Sequence, residues 1–166
     1  MRGIQVGRDE GKSSMRTSYP AAATLAVLAL FAASARGAPP DPNVMSFKLP
    51  ADLKWVESPA YPGLKSAVVQ GDPGKPGPYA VLNHFSRNSF SHPHFHPNDR
   101  YILVLKGTWW VGTGDKFDPA TTTPLPAGSF AVHYAGKVHW DGAKDEECEL
   151  LIYGEGPATS TRVPEH

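Results

Sequence analysis

Ser91-His92-Pro93-His94-Phe95-His96-Pro97-Asn98-Asp99-Arg100 is the stretch from which this chain is best read. Two histidines at i and i+2 in extended backbone project from one face, because strand side chains alternate with a period of two. His94 and His96 therefore converge, and two converging imidazoles are half of a mononuclear metal site. Pro and Gly recur on both sides and cut the chain into short runs, the pattern of an all-β sandwich or barrel. The runs predict strands at 65–70, 79–85, 91–96, 100–106, 108–111, 129–133, 138–140 and 147–153. Residues 71–78 (GDPGKPGP) can only be a turn-rich connection. There is no amphipathic helix and no internal repeat.

Downstream, Pro126-Ala127-Gly128 opens a turn, a strand follows, Ala135-Gly136 breaks it, and His139 comes next. The two stretches together resemble the paired motifs of the cupins: H-x-H, a polar position four residues on, and Gly107, then P-x-G and a last His. GDPGKPGPY, GTGDKF and LPAGSF are also similar to a group of small bacterial cupins. The resemblance implies an all-β, single-domain cupin, a double-stranded β-helix or jelly-roll barrel, over 51–158, with 159–166 as a tail. It makes His139 the third histidine ligand and implies one divalent first-row ion, Fe, Zn, Ni or Cu, at His94, His96 and His139. The chain departs from the pattern at Asn88, where the family has Gly; Asn tolerates a left-handed turn. Tyr134 replaces the second Pro, and no Asn follows His139 at the usual place.

Arg100 stands where the family has Glu. A guanidinium cannot ligate a cation and stays protonated. Facing inward, it repels the ion but offers a bidentate grip on a carboxylate; facing outward, it pairs with Asp99 or another acid. Asp99 is the obvious substitute carboxylate ligand, on the wrong parity. Histidine-only sites do occur in the family, among some thiol and diketone dioxygenases. A site without its carboxylate favours imidazole-preferring ions, and the alternative is a barrel that has lost its metal and binds a ligand through its histidines. His92 shares parity with His94, and His133 could face the same cavity; His84 reads as a sheet histidine. Cys148, the only cysteine, allows no intrachain disulfide and reads as a small buried hydrophobe. Tyr79, Phe85, Trp110, Phe130, Trp140 and Tyr153 are the expected aromatic core or cavity lining.

The first residues are not barrel. Arg2, Arg8, Lys12 and Arg16 precede an uncharged apolar run ending in Ala33-Ser34-Ala35, which reads as a secretory signal over 1–37, with Met15 an alternative start. The run is shorter than the roughly 20 residues a membrane span needs, so a periplasmic or secreted protein without a span after cleavage is expected. A Pro-rich linker, 38–50, follows. Five of the 16 basic and two of the 16 acidic residues precede Ala38, leaving a net charge of −3 beyond it with His neutral. Such a domain, with no basic stripe, is not a nucleic-acid or anionic-membrane binder. Strand 100–106 is apolar on both faces and so must be covered on both, either by a partner subunit, which suggests a homodimer, or by an N-terminal strand. Two functions stay open: a metal-dependent enzyme, dioxygenase-like or isomerase/lyase-like, on a small anionic molecule with Arg100 as its catalytic anion-binding residue; or a non-catalytic small-ligand or metal-binding protein.

Overall fold

Alternation along Arg100–Lys106 puts Arg100, Ile102 and Val104 on one face and Tyr101, Leu103 and Leu105 on the other. In the computed structural model, which describes residues 37–164, the first face is interior. Ile102 and Val104 are fully buried, whereas Tyr101 and Leu105 are exposed. The same rule orders Cys148–Gly156, where Cys148, Leu150 and Ile152 are buried and Tyr153 is exposed. Burying each such large apolar side chain contributes about 1.5–3 kcal/mol, so the two strands with Trp109, Phe85 and Tyr79 form the core.

The described strands are β1 (Trp55–Glu57), β2 (Leu64–Gln70), β3 (Gly77–Phe85), β4 (Ser89–Phe90), β5 (His94–Phe95), β6 (Arg100–Lys106), β7 (Thr108–Thr113), β8 (Thr123–Pro126), β9 (Phe130–His133), β10 (His139–Ala143), β11 (Cys148–Gly156) and β12 (Thr161–Arg162). They form two antiparallel sheets, one ordered β1-β2-β3-β11-β6-β9 and the other β12-β5-β10-β7-β8, with β4 also on β10. The chain is a single-domain all-β barrel of the jelly-roll kind, as the strand pattern predicts. The described residues 37–46 belong to a unit separate from the one that begins at Phe47. Within its described part, the Asn43 amide donates to Asp41 Oδ1 at 2.8 Å. The stretch read as a secretory signal lies outside the described residues apart from Gly37.

Several expectations are corrected. Of the strand expected over 91–96 only β5 (His94–Phe95) forms, with β4 ending before it at Phe90, because Pro93 and Pro97 carry no N–H for a ladder. The Thr-Pro-Leu-Pro strand β8 was not anticipated; its two prolines are tolerated because β8 is the edge of its sheet. The stretch read as a C-terminal tail contributes β12, whose Thr161 and Arg162 pair with Phe95 and His94. Phe130 and Tyr153 are not core but exposed, because Ala131 and Ile152 take the interior positions beside them. Trp110 is half-buried, with the Lys144 ammonium 3.9 Å from its ring centre. Asn88 does adopt the left-handed conformation, φ 58°, that its place in the motif requires.

Candidate functional site

β5 and β10 lie antiparallel with His94 directly opposite His139, and Arg100 at the start of β6 lies opposite His133 at the end of β9. These two registers bring residues from four strands to one cavity of about 270 Å³, lined by all four and by His96, Tyr79, Asp141 and a set of apolar side chains. The ring centres of His94 and His139 are 4.5 Å apart, of His94 and His96 4.9 Å, and of His96 and His139 5.2 Å. All three are buried, and their ligating nitrogens lie within 4.8 Å of one another.

Each imidazole is held by a backbone carbonyl. His94 Nδ1 donates to His92 O at 2.7 Å, His96 Nδ1 to Thr159 O at 2.9 Å, and His139 Nδ1 to Lys137 O at 3.0 Å. A carbonyl only accepts, so Nδ1 carries the proton and the Nε2 lone pair is left for another partner. Burial, and then the Arg100 charge, push His96 down to about 2. Burial also pushes His139 down to about 4, against the pull of Asp141. Neutral imidazoles with one fixed tautomer are the form that metal ligation needs. His139 Nε2 is buried with no partner. The donor set therefore fits a divalent first-row ion.

Arg100 faces the cavity, and its Nη1 donates to His96 Nε2, the atom that an ion would use. Burial works against the guanidinium charge and lowers its pKa, with Tyr79 and Asp141 partly offsetting it. Asp99 turns away: its Oδ1 accepts from the Ala135 amide at 2.7 Å, so it is neither a ligand nor Arg100's partner. His92 is not at the cavity but stands between Tyr61 and Phe117, ring centres at 6.4 and 4.6 Å. His84 lies near Glu147 and Glu149, at 3.6 and 3.4 Å. Cys148 is buried, and burial pushes its thiol up to about 12, which leaves it inert as a nucleophile.

Two residues matter more than the sequence suggested. His133 lines the cavity with its ring centre 3.6 Å from that of His139, and its Nδ1 is buried without a partner. Burial, then His139, push it down to about 3, so it stays a neutral imidazole. Asp141 is the acid of the cavity. Its Oδ1 accepts from Ser91 Oγ at 2.5 Å and its Oδ2 from Trp109 Nε1 at 2.8 Å. Burial would raise this carboxyl, but His133, the other imidazoles and Ser91 outweigh it and hold it below its ordinary value. The signal was present: Asp141 sits two residues after His139 on the same strand and so shares its face.

No family model and no curated protein matches the chain. Solved structures do match its fold. The polyketide cyclase RemF from Streptomyces resistomycificus superposes with a TM-score of 0.61 at 19% identity, covering 72% of this chain and 85% of that one. A cupin-2 domain protein from Rhodospirillum rubrum gives 0.57 at 13%, covering 73% and 81%. This chain has the cupin fold. KdgF from Halomonas sp. also matches, with a TM-score of 0.54 at 21% identity over 66% of this chain and 94% of that one. At such identities the likeness speaks for the cupin barrel and not for any one reaction.

Proposed function

We propose that this is an exported cupin whose His94, His96 and His139 hold one divalent first-row ion, and which acts on a small anionic molecule. One observation carries the reading. Among the described residues, five buried side-chain polar atoms lack a hydrogen-bond partner, and four of them, on Tyr79, Arg100, His133 and His139, line this one cavity. Buried polar atoms are ordinarily paired, so their clustering marks the place of a polar ligand. When bound, the ion would supply Lewis-acid polarisation of a substrate oxygen. Arg100 grips and orients the substrate carboxylate, Tyr79 donates a hydrogen bond from its hydroxyl, and His133 offers its unpartnered Nδ1 as a further polar contact. Apolar side chains such as Leu64, Val81 and Ile152 limit water around them.

A second reading is a non-catalytic binder of small carboxylates; the Arg100–His96 contact favours it, because it completes an anion site without an ion. Both readings place the protein outside the cytoplasm, given the apolar run and the Ala33-Ser34-Ala35 signal. Intact mass and elemental analysis of the protein recovered from the periplasm test the proposal together. A mass beginning near Ala35 to Gly37 and about one first-row ion per chain are expected, with most of that ion lost on single His→Ala changes at 94, 96 or 139. Equal metal in the wild type and the triple variant would sink the metal site, and a full-length chain found in the cytosol would sink export. Turnover of candidate acids then separates the enzyme from the binder.

A further inference from the structure

We infer that Arg100 is a displaceable occupant of the ion's place on His96, so that a divalent ion and a small carboxylate bind this cavity cooperatively. The inference rests on the metal-site reading above. His139 keeps its Nε2 free of any partner, whereas His96 Nε2 accepts from Arg100 Nη1. One lone pair cannot serve a guanidinium and an ion at once. An ion that takes all three imidazoles must therefore drive Arg100 off His96.

Among the described residues, the displaced guanidinium finds the Tyr79 hydroxyl in the cavity but no free carboxylate to pair its charge. Its Nε is already buried without a partner. Asp141 is the one acid lining the cavity, and its two carboxylate oxygens are taken by Ser91 and Trp109. Asp99 is turned to the Ala135 amide. A buried cation left unpaired beside a dication is strongly disfavoured. A carboxylate removes both difficulties, since it pairs with the planar fork bidentately and brings negative charge next to the ion. The cavity, about 270 Å³, has room for it. Because coupling between two bound ligands is reciprocal, the ion must tighten the carboxylate as much as the carboxylate tightens the ion.

The test is a titration of the chelator-stripped protein with Co2+, whose visible absorption reports its coordination, at fixed ionic strength in sodium acetate or sodium perchlorate. The expected result for wild type is a Co2+ affinity at least tenfold tighter in saturating acetate. Arg100→Gln should bind Co2+ tightly in perchlorate and respond to acetate by less than twofold. An acetate effect that survives in Arg100→Gln means the anion acts on the ion alone and overturns the inference. So does a wild type that binds Co2+ equally in both salts, an outcome that leaves the metal site standing. Co2+ bound by neither protein in either salt removes the metal site and the inference together. If Arg100→Gln does not fold, the wild-type comparison still decides, with Arg100→Lys as the second variant.

Discussion

At the scale of single residues, the site is a problem of charge. Arg100 contributes one positive charge and Asp141 one negative charge, while burial holds His96, His133 and His139 neutral. The acid of the cavity is Asp141 on β10, which accepts from Ser91 and Trp109 and lies outside the three-histidine group that could hold an ion. Asp141 still acts through space. Asp141→Asn keeps the shape, and an amide can be satisfied by the same neighbours, its NH2 on Ser91 Oγ and its oxygen on Trp109 Nε1. Only the charge is lost. The expected outcome is a metal affinity weaker by about tenfold or more, from a unit charge removed near a partly buried dication, with a nearly unchanged melting temperature. Competition against a chelator, run beside thermal melts, checks it; unchanged metal affinity would show that Asp141 serves packing alone.

At the scale of elements, the histidines depend on strands far away in sequence. β12 is short and exposed, yet the residues leading into it place the Thr159 carbonyl on His96 Nδ1 and pair the chain back onto β5. Partners of this kind, which fix the tautomer and orientation of a ligating histidine, are commonly worth 10–100-fold in metal affinity. A chain ended after Ala158 should therefore fold, since the core lies in β3, β6, β7 and β11, but hold its ion roughly 10–100 times more weakly. A truncated protein with a cooperative melt and full metal affinity would refute that role. β7 and β10 are coupled just as closely. Gly112 lies opposite Trp140, and a Cβ there would sit 2.3 Å from the indole, so only glycine lets Trp140 pack beside His139.

At the scale of the whole molecule, the outer face of the first sheet stands out. Tyr101, Leu105, Phe130 and Tyr153 are 36%, 44%, 57% and 42% exposed. Tyr101 stacks on Tyr153 at 5.2 Å and on Phe130 at 6.5 Å, and half-buried Leu82, Leu103 and Leu151 extend the surface across neighbouring strands. A contiguous exposed apolar surface of this kind marks an interaction site, and an antiparallel sheet face can be shared by two copies about a twofold axis. The expected assembly is a homodimer packed through this face. Sedimentation equilibrium should give twice the chain mass, and Tyr101→Lys with Phe130→Lys should give a monomer with its metal affinity intact. A monomeric wild type at micromolar concentration would rule the dimer out. Among the described residues, no helix is long and apolar enough to cross a membrane.

Local rules sufficed for whatever depends on neighbours along the chain. The period-two parity of His94 and His96, the inward set Arg100, Ile102 and Val104, and the left-handed Asn88 follow from strand geometry and backbone sterics, which act within a few residues. His139 was legible only through the spacing of a second motif that resembles a known family. The rest was set by contacts between segments distant in sequence. Which strands form sheet edges decided that Thr-Pro-Leu-Pro could be a strand. Which side of β9 and β11 faces the core decided that Phe130 and Tyr153 lie outside it. The pairing of β12 with β5 brought Thr159 to His96, and the register of β10 brought Asp141 beneath the histidines. Above all, only the closed barrel put the Arg100 guanidinium on His96 Nε2. Parity states which face a side chain takes, but its partner is chosen by whatever the other strands bring to that face.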